Sequence, residues 1–273
     1  MYLNHPRPAT RPASILSQAF RRQRETVKAL LIRDLMIRYR REGLGFAWLI
    51  LEPAILILLV MGLWRVIYGP NNHGVSVIPI VLTGYSLLTM WRHVLNRSIF
   101  ALRLSFDLKY HRQIQYGDAL WSRYLLELGG ISLAFAIIYA VLLATNQVEP
   151  IHDIGYLCLG WCLYAFFSVG FGMCLAALVE LREGLERVIP GIMYVTLPLT
   201  GTFYMVGWLP KAGQEVVLWS PLVHGVEIVR AAFFGPGVAT YGDPVFLFIS
   251  GLVVNALGWA LLDIAKRRVE PLN

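Results

Sequence analysis

Side chains able to carry out chemistry are few in this sequence, and they form no known catalytic pattern. None of the four lysines follows a glycine, so the chain contains no Gly-x-x-x-x-Gly-Lys-Ser/Thr phosphate-binding loop. A His-Glu-x-x-His pair is absent, and Gly84-Tyr85-Ser86 lacks the trailing glycine of a nucleophile elbow. The three cysteines, Cys158, Cys162 and Cys174, share one apolar stretch and are interpreted as packing residues rather than metal ligands. We therefore predict no enzymatic activity, no catalytic residue and no bound metal.

Charge next to an apolar stretch is the first pattern that points to a function. Ile37-Arg38-Tyr39-Arg40-Arg41-Glu42 precedes the stretch 46–68, which carries Glu52-Pro53 in its first third. Glu52 would lie roughly 9 Å into a helix, where an acid is costly unless it faces protein or water. Pro53 removes a backbone hydrogen bond and bends the helix. Two interpretations stay open: Glu52 faces an internal partner or cavity, or it forms an ion pair near the interface.

The elements that must position these residues are membrane helices. Of the 273 residues, 57% are hydrophobic and 15% are charged, with a mean hydropathy of +0.58, whereas a soluble domain carries about 25% charged residues. A span needs about 20 apolar residues. Six stretches qualify: 46–68, 75–95, 122–145, 154–179, 188–208 and 244–264. Because these are too long and too uniformly apolar for barrel strands, we predict an all-α membrane protein with six transmembrane helices.

The net charge of +7 is explained by its distribution rather than by a nucleic-acid partner. Residues 1–45 hold ten Lys and Arg against three acids, and the loop around 96–123 holds five. The short loops 69–74 and 146–153 hold none. Since Lys and Arg collect on the cytoplasmic side, both termini are predicted to be cytoplasmic. No cleavable signal peptide is expected, because the first long apolar stretch begins at residue 46.

Three segments outside the spans have their own character. The N-terminal region 1–45 contains an amphipathic helix over 14–42, interpreted either as a surface anchor or as a platform for a cytoplasmic partner. The cytoplasmic loop 96–121 mixes apolar and basic residues, and Glu127 just beyond it is expected to pair locally with Arg123. The outward segment 209–243 is predicted to form two short helices that re-enter the membrane interface. The predicted membrane domain covers residues 46–265. Residues 266–273 form a cytoplasmic tail.

An ordered set of motifs resembles the membrane subunit of ABC-2-type exporters, in particular the inner-membrane permease of Gram-negative capsular polysaccharide export. The resemblance covers about residues 27–265. Its motifs are Leu35-x-x-Arg38-Tyr39, Gly43-Leu44-Gly45 with Trp48, Leu51-Glu52-Pro53, Leu82-Thr83-Gly84, Asn96-Arg97-Ser98-Ile99, Asp118 with Arg123, Leu125-Leu126-Glu127, Leu209-Pro210, and Trp219-Ser220-Pro221-Leu222-Val223-His224-Gly225-Val226-Glu227 followed by Arg230.

The resemblance implies an ABC-2 exporter fold in the bacterial inner membrane, and it implies that the chain acts as one subunit of a larger transport complex. The expected partners are a second copy of the chain, two separate ATPase subunits that hold ATP and Mg, a periplasmic adaptor or co-polymerase, an outer-membrane export protein, and a lipid-linked polysaccharide. The chain itself would bind no cofactor.

For a permease of this kind, we predict roles for particular residues from their types and positions. The predicted substrate entrance is Arg38, Arg40, Arg41 and Glu52; the pore-lining aromatics are Tyr85 and Tyr194. The predicted ATPase contacts are Phe106, Asp107, Leu108, Lys109, Tyr110, Arg182 and Arg187; the predicted periplasmic gate is Trp219, Leu222, His224, Glu227 and Arg230.

Two other readings stay open at the level of the sequence. One alternative is that the chain is the permease of an exporter of the same architecture for O-antigen or teichoic acid. A secondary transporter driven by an ion gradient is a more distant alternative, which would need a paired acid deep in the membrane. A membrane-embedded transferase is disfavoured by the missing catalytic motifs.

Overall fold

A computed structural model of the chain describes residues 12–42, 46–99, 116–182 and 184–269. Within the helices, residues 12–20, 37–42, 46, 116 and 269 are described by their backbone alone. The helices are α1 (Pro12–Glu42), α2 (Phe46–Tyr68), α3 (Val77–Ile99), α4 (Tyr116–Ala144), α5 (Ile154–Leu181), α6 (Leu185–Val195), α7 (Lys211–Val217), α8 (Pro221–Phe234) and α9 (Pro244–Val269). Strands β1 (Asn71–Asn72) and β2 (Val75–Ser76) pair antiparallel between α2 and α3. The all-α prediction is confirmed.

Among the described residues, four helices are long and apolar enough to cross a membrane. They contain Ala47–Tyr68, Gly117–Ala144, Ile154–Leu181 and Pro244–Arg268, and each coincides with a predicted span. A fifth candidate arises only if α7 and α8, which meet at 107°, are counted as one broken span. The predicted total of six is therefore not confirmed by helix length and composition.

The second predicted span, 75–95, corresponds to α3. This helix has membrane length, yet its last two turns carry the polar residues Arg92, His93, Asn96 and Arg97, which lower its apolar character. It is nevertheless the most enclosed long helix, since most of its side chains are buried against α2, α4, α5 and α8. Polar groups inside a bundle face protein or a cavity rather than lipid.

The fifth predicted span, 188–208, is not one helix. Helix α6 ends at Val195, a 3₁₀ turn follows over Leu197–Thr200, and Gly201 then adopts a left-handed conformation with φ of +71°. A second 3₁₀ turn covers Val206–Trp208. Pro198 has no amide proton to continue the ladder and Gly201 accepts the positive φ without steric cost, so the helix breaks. Irregular backbone at this depth needs protein around it.

The α5–α9 contact is the tightest helix pair of the bundle. The Cβ that an alanine would add at Gly170 falls 2.5 Å from the side-chain nitrogen of Asn255, and at Gly258 it falls 2.9 Å from Cβ of Met173. The Asn255 amide donates to the carbonyl of Phe166 at 2.9 Å. Small residues that let two backbones approach, joined by an interhelical hydrogen bond, are the means by which membrane helices associate.

Helix α1 packs along α4 and touches α2. Leu30 is buried in this contact, and the Gln23 amide donates to the Asp118 carboxylate at 3.3 Å. Arg123 lies 3.8 Å from Asp34. A helix thus covers the predicted stretch 14–42, and most of its side chains between 21 and 36 are exposed away from this seam. Its location at the membrane interface stays a prediction.

Candidate functional site

One face of α3 combines aromatic and polar side chains that are not fully enclosed. Tyr85, Arg92 and Asn96 are separated by seven and four residues, which places them on one face of a helix. Tyr85 and Arg92 are half-buried and Asn96 is exposed, whereas most of α3 is buried. This face is the side of α3 that α2, α6 and the segment after α6 border.

Four aromatic rings line the part of this face nearer the start of α3. They are hereafter the aromatic row: Tyr68, Trp64, Tyr85 and Phe203. The Trp64 ring lies 5.1 Å from that of Tyr68 and 6.5 Å from that of Tyr85. Phe203 meets Tyr85 edge-on at 5.6 Å. These separations are those of favourable aromatic pairs. Phe203 itself is 36% exposed, so the row presents ring surface outward.

Further along α3 than the aromatic row, a cleft opens between α3 and α6. It is lined by Arg92, Asn96, Pro190, Met193, Tyr194 and Leu197, and is hereafter the α3–α6 cleft. The guanidinium carbon of Arg92 lies 5.6 Å from the centre of the Tyr194 ring, a cation–π distance. Tyr194 is 62% exposed. The two tyrosines predicted as pore-lining therefore border the same face of α3.

The predicted gate motif divides into a buried part and an exposed part. Leu222, His224, Glu227 and Arg230 lie in α8 and are buried, whereas Trp219 is 83% exposed in the turn between α7 and α8. Buried side chains hold other elements in place, and their role as a gate stays a prediction.

Arg230 is the central anchor of this region. Its side chain is fully buried and donates to the carbonyl oxygens of Gly201 and Thr202, each at 2.9 Å, and to that of Tyr204. Glu227 lies 3.4 Å away. A single arginine thus satisfies the carbonyls that the break after α6 exposes, because a buried backbone acceptor needs a partner.

The carboxylate of Glu227 continues the same network. It accepts from the backbone amides of Val206 at 3.4 Å and Tyr241 at 3.1 Å. One ion pair therefore links α8 to the segment after α6 and to the segment before α9. Breaking either partner would leave an unpaired buried charge, which is costly.

His224 is held between two backbone groups. Its Nδ1 lies 3.0 Å from the backbone amide of Asp243, which can only donate, and its Nε2 lies 2.8 Å from the carbonyl of Leu218, which can only accept. The ring must therefore accept at Nδ1 and donate at Nε2.

Gly84 is required where α3 meets this network. A Cβ at this position would lie 2.8 Å from the carbonyl oxygen of Thr202 and 3.0 Å from Nη2 of Arg230. The Leu82-Thr83-Gly84 motif thus allows α3 to approach the broken segment closely.

The acid Glu127 pairs across helices, which corrects the expected local pair with Arg123. Its oxygens lie 2.6 Å from Nε of Arg97 and 2.9 Å from Nδ1 of His93, both on α3. Arg123 instead reaches Asp34 of α1. The reason is burial: Glu127 is 1% exposed and faces α3, while Arg123 points toward the docked α1.

The predicted entrance is only partly within the described residues. Arg38, Arg40 and Arg41 lie at the end of α1, where the side chains are outside the described part. Glu52 is exposed on α2, next to the buried Pro53 that lies inside the helix. The exposed face of α2 also carries Ile55, Leu58 and Leu59. In a single copy, Glu52 thus shares a face with apolar side chains.

The predicted ATPase contacts divide in the same way. Phe106, Asp107, Leu108, Lys109 and Tyr110 lie outside the described residues. Arg182 and Arg187 are exposed at the turn between α5 and α6, where the Arg268 guanidinium donates to the carbonyl of Leu181 at 3.2 Å. That contact brings the end of α9 to this turn.

The sequence did not lead us to Arg92, Phe203 or the pairing of Glu127 with α3, and Asn96 was named in a motif without a site role. One signal was available: Arg92 is a charged residue inside a predicted span, and such a residue marks a pathway or an internal partner. Across residues 12–42, 46–99, 116–182 and 184–269, no three His, Cys, Asp or Glu side chains converge as a metal site would require.

The described residues form a bundle of membrane-length helices with a polar and aromatic cleft, which defines a helical membrane protein. Residues 25–234 match the family described as ABC-2 type transporter. Because the match spans most of the chain, the protein belongs to this family.

Relatives cover nearly the whole chain. It is 32% identical over 249 residues to the capsule polysaccharide export inner-membrane protein BexB of Haemophilus influenzae, covering 91% of this chain and 94% of that protein. It is 34% identical, with the same coverage, to the capsule polysaccharide export inner-membrane protein CtrC of Neisseria meningitidis serogroup A / serotype 4A. It is 27% identical over 247 residues to the polysialic acid transport protein KpsM of Escherichia coli, covering 89% of this chain and 94% of that protein.

Proposed function

We propose that this chain is the membrane-spanning permease subunit of an ATP-driven exporter that moves a lipid-linked capsular polysaccharide across the bacterial inner membrane. The observation that carries the proposal is the near full-length similarity to proteins named for capsule polysaccharide export in the inner membrane.

The cleft and the aromatic row support the proposed substrate class. A polysaccharide offers ring faces and hydroxyls with little shape variation along its length. Aromatic side chains present flat apolar surface with a polar tip, so Tyr85, Tyr194 and Phe203 suit a ligand that must slide rather than lock. In this proposal the two tyrosines line the pathway.

Energy would come from a separate subunit, because the chain has no phosphate-binding loop of its own. We propose two ATPase subunits that hold ATP and Mg and dock mainly on Phe106 to Tyr110, with a lesser contact at Arg182 and Arg187. The exposed turn at Arg182 and Arg187 supports the second contact.

A second copy of the chain would complete the pathway. The α3 face is open on one side in a single copy, and α2 exposes Leu58, Leu59 and Val66, so a homodimer would enclose the cleft. The proposed arrangement has six spans in each copy, cytoplasmic termini and α1 at the membrane interface. The α7–α8 hairpin with Trp219 would face a periplasmic adaptor and, through it, an outer-membrane export protein.

The test is deletion of the gene and complementation in the encapsulated parent strain. The expected result is loss of surface polysaccharide with accumulation of lipid-linked polymer inside the cell, restored by the wild-type chain. Purified chain alone should hydrolyse no ATP, and activity should appear when the ATPase subunit is co-purified. Normal surface capsule in the deletion strain, or loss of O-antigen alone, would reject the proposal.

A further inference from the structure

Arg92 stands out among the arginines of the bundle because of what surrounds it. Within the described ranges its guanidinium contacts no carboxylate and no carbonyl acceptor; its recorded contact is the face of Tyr194 at 5.6 Å. Arg97, one turn and a half further along α3, pairs with Glu127 at 2.6 Å. Arg230 donates through both of its Nη atoms to backbone carbonyls. Arg92 is thus a cation held at the cleft without a counter-charge from these helices.

Arg92 lacks the hydrogen-bonding partners that Arg97 and Arg230 have, and its position in α3 makes this difference informative. It lies seven residues before the end of α3, roughly 10 Å along the helix axis, and a charge at such depth is costly unless it serves a pathway or meets a partner. Glu127 is a neighbouring acid on the bundle side, but its carboxylate pairs with His93 and Arg97 instead. The free side of the Arg92 guanidinium therefore points to a ligand.

The composition of the α3–α6 cleft indicates the chemistry of that ligand. Arg92 and the Asn96 amide supply hydrogen-bond donors, while Pro190, Met193, Tyr194 and Leu197 supply an apolar wall. A guanidinium presents parallel N–H groups that match the two oxygens of a carboxylate or phosphate. The Tyr194 ring beside it offers a surface for a sugar face.

The size of the cleft limits how much of a ligand it holds. Its volume is about 170 Å³, below the roughly 300–1,000 Å³ of pockets that enclose a whole small ligand. The cleft thus accommodates one charged group of a larger molecule whose remainder lies along the open α3 face.

We infer that the α3–α6 cleft binds the oxyanion of an acidic glycan, one charged group at a time, with Arg92 and Asn96 as donors and Tyr194 stacking on the adjoining sugar. The inference rests on the proposed export function and adds a site to it. Between ligands, the Tyr194 ring holds the guanidinium in place through a contact weak enough for an oxyanion to displace. The oxyanion comes from sugar acids along the polymer or from the phosphate of its lipid anchor, and the experiment separates these sources.

The experiment is equilibrium binding to the full chain with its ATPase partner in nanodiscs, without ATP. The probes are an oligogalacturonate, a dextran oligomer of similar length, and lysophosphatidylglycerol. Arg92→Gln should weaken oligogalacturonate binding about 10- to 100-fold, the usual worth of a charge-assisted hydrogen bond, with Arg92→Lys between the two. Arg65→Gln is the matched control, since Arg65 is exposed at the far end of α2 and contacts Gln147. Dextran binding should not change in any variant.

The outcomes discriminate clearly. Weakening confined to lysophosphatidylglycerol keeps the oxyanion site and assigns its ligand to the lipid anchor. Unchanged binding of both anionic probes to Arg92→Gln overturns the inference, and so does an equal loss for dextran or in Arg65→Gln. Because binding is measured without transport, failure here leaves the deletion test of the proposed function standing, and the reverse also holds.

Discussion

Arg230→Gln is expected to destabilise the protein more than any surface substitution, because Arg230 holds three segments together from a fully buried position. The guanidinium satisfies the carbonyls of Gly201 and Thr202 and faces Glu227 at 3.4 Å. Removing one partner of a buried ion pair costs about 3–5 kcal/mol. Glutamine retains at most part of the hydrogen bonding and none of the charge, so we expect a loss within that range.

The double variant tests the cause of this loss. Arg230→Gln with Glu227→Gln leaves no unpaired charge, and Glu227→Gln keeps an oxygen that accepts from Val206 and Tyr241. The combined cost should therefore fall short of the sum of the single costs by about 1–3 kcal/mol, as for residues in one network.

The assay is reversible unfolding in mixed micelles titrated with SDS, followed by tryptophan fluorescence. Arg267→Gln is the control: its pair with Asp263 is largely exposed, at 77% and 56%, and such pairs contribute about 0–1 kcal/mol. If Arg230→Gln unfolds within about 0.5 kcal/mol of the control, a resolution set by typical additivity error, the assigned anchoring role is wrong.

Three further predictions follow from other contacts. Gly84→Ala should lower stability by about 1–3 kcal/mol in the same unfolding assay, because its Cβ would lie 2.8 Å from the Thr202 carbonyl oxygen. Gly62→Ala is the control and should not lower stability, since a Cβ there meets nothing within 4 Å. Equal losses of stability in the two variants would contradict this prediction. Glu127→Gln should cost about 1.5–3 kcal/mol by weakening its charged hydrogen bonds to His93 and Arg97. A stability equal to wild type would show that this network is dispensable. Tyr85→Ala should reduce surface polysaccharide severalfold in the complemented strain while Tyr85→Phe, which keeps the ring, should restore it; full export by Tyr85→Ala would remove the ring from the pathway.

The helices that face lipid were predictable because hydropathy alone defines them. The bounds of α2 match the stretch 46–68, and α5 and α9 begin at the predicted residues. A long apolar run is most stable as a helix in a membrane, because its backbone groups must form hydrogen bonds within the segment. The break after α6 was indicated by Pro198 and Gly201, although the sequence did not indicate that it would end the helix at Val195.

The interior of the candidate site was less predictable for a physical reason. Arg230 donates to backbone carbonyls 26 to 29 residues away in the sequence. Because every residue has the same carbonyl group, no side-chain pattern in the sequence predicts these partners. Glu127 had a nearby cation at Arg123 and a distant one at Arg97, and burial selected the distant one. Local spacing predicts a pair only where both side chains remain at the surface of the same helix.

The close seam between α5 and α9 limits which parts of the molecule can move. Two helices whose glycines leave no room for a methyl group, tied by the Asn255 amide, shift past one another only by unpacking. We therefore expect this pair to stay fixed, as a stator does, while α3 and α6 rearrange around it. A cysteine crosslink between α5 and α9 should then leave transport intact, whereas one between α3 and α6 should arrest it.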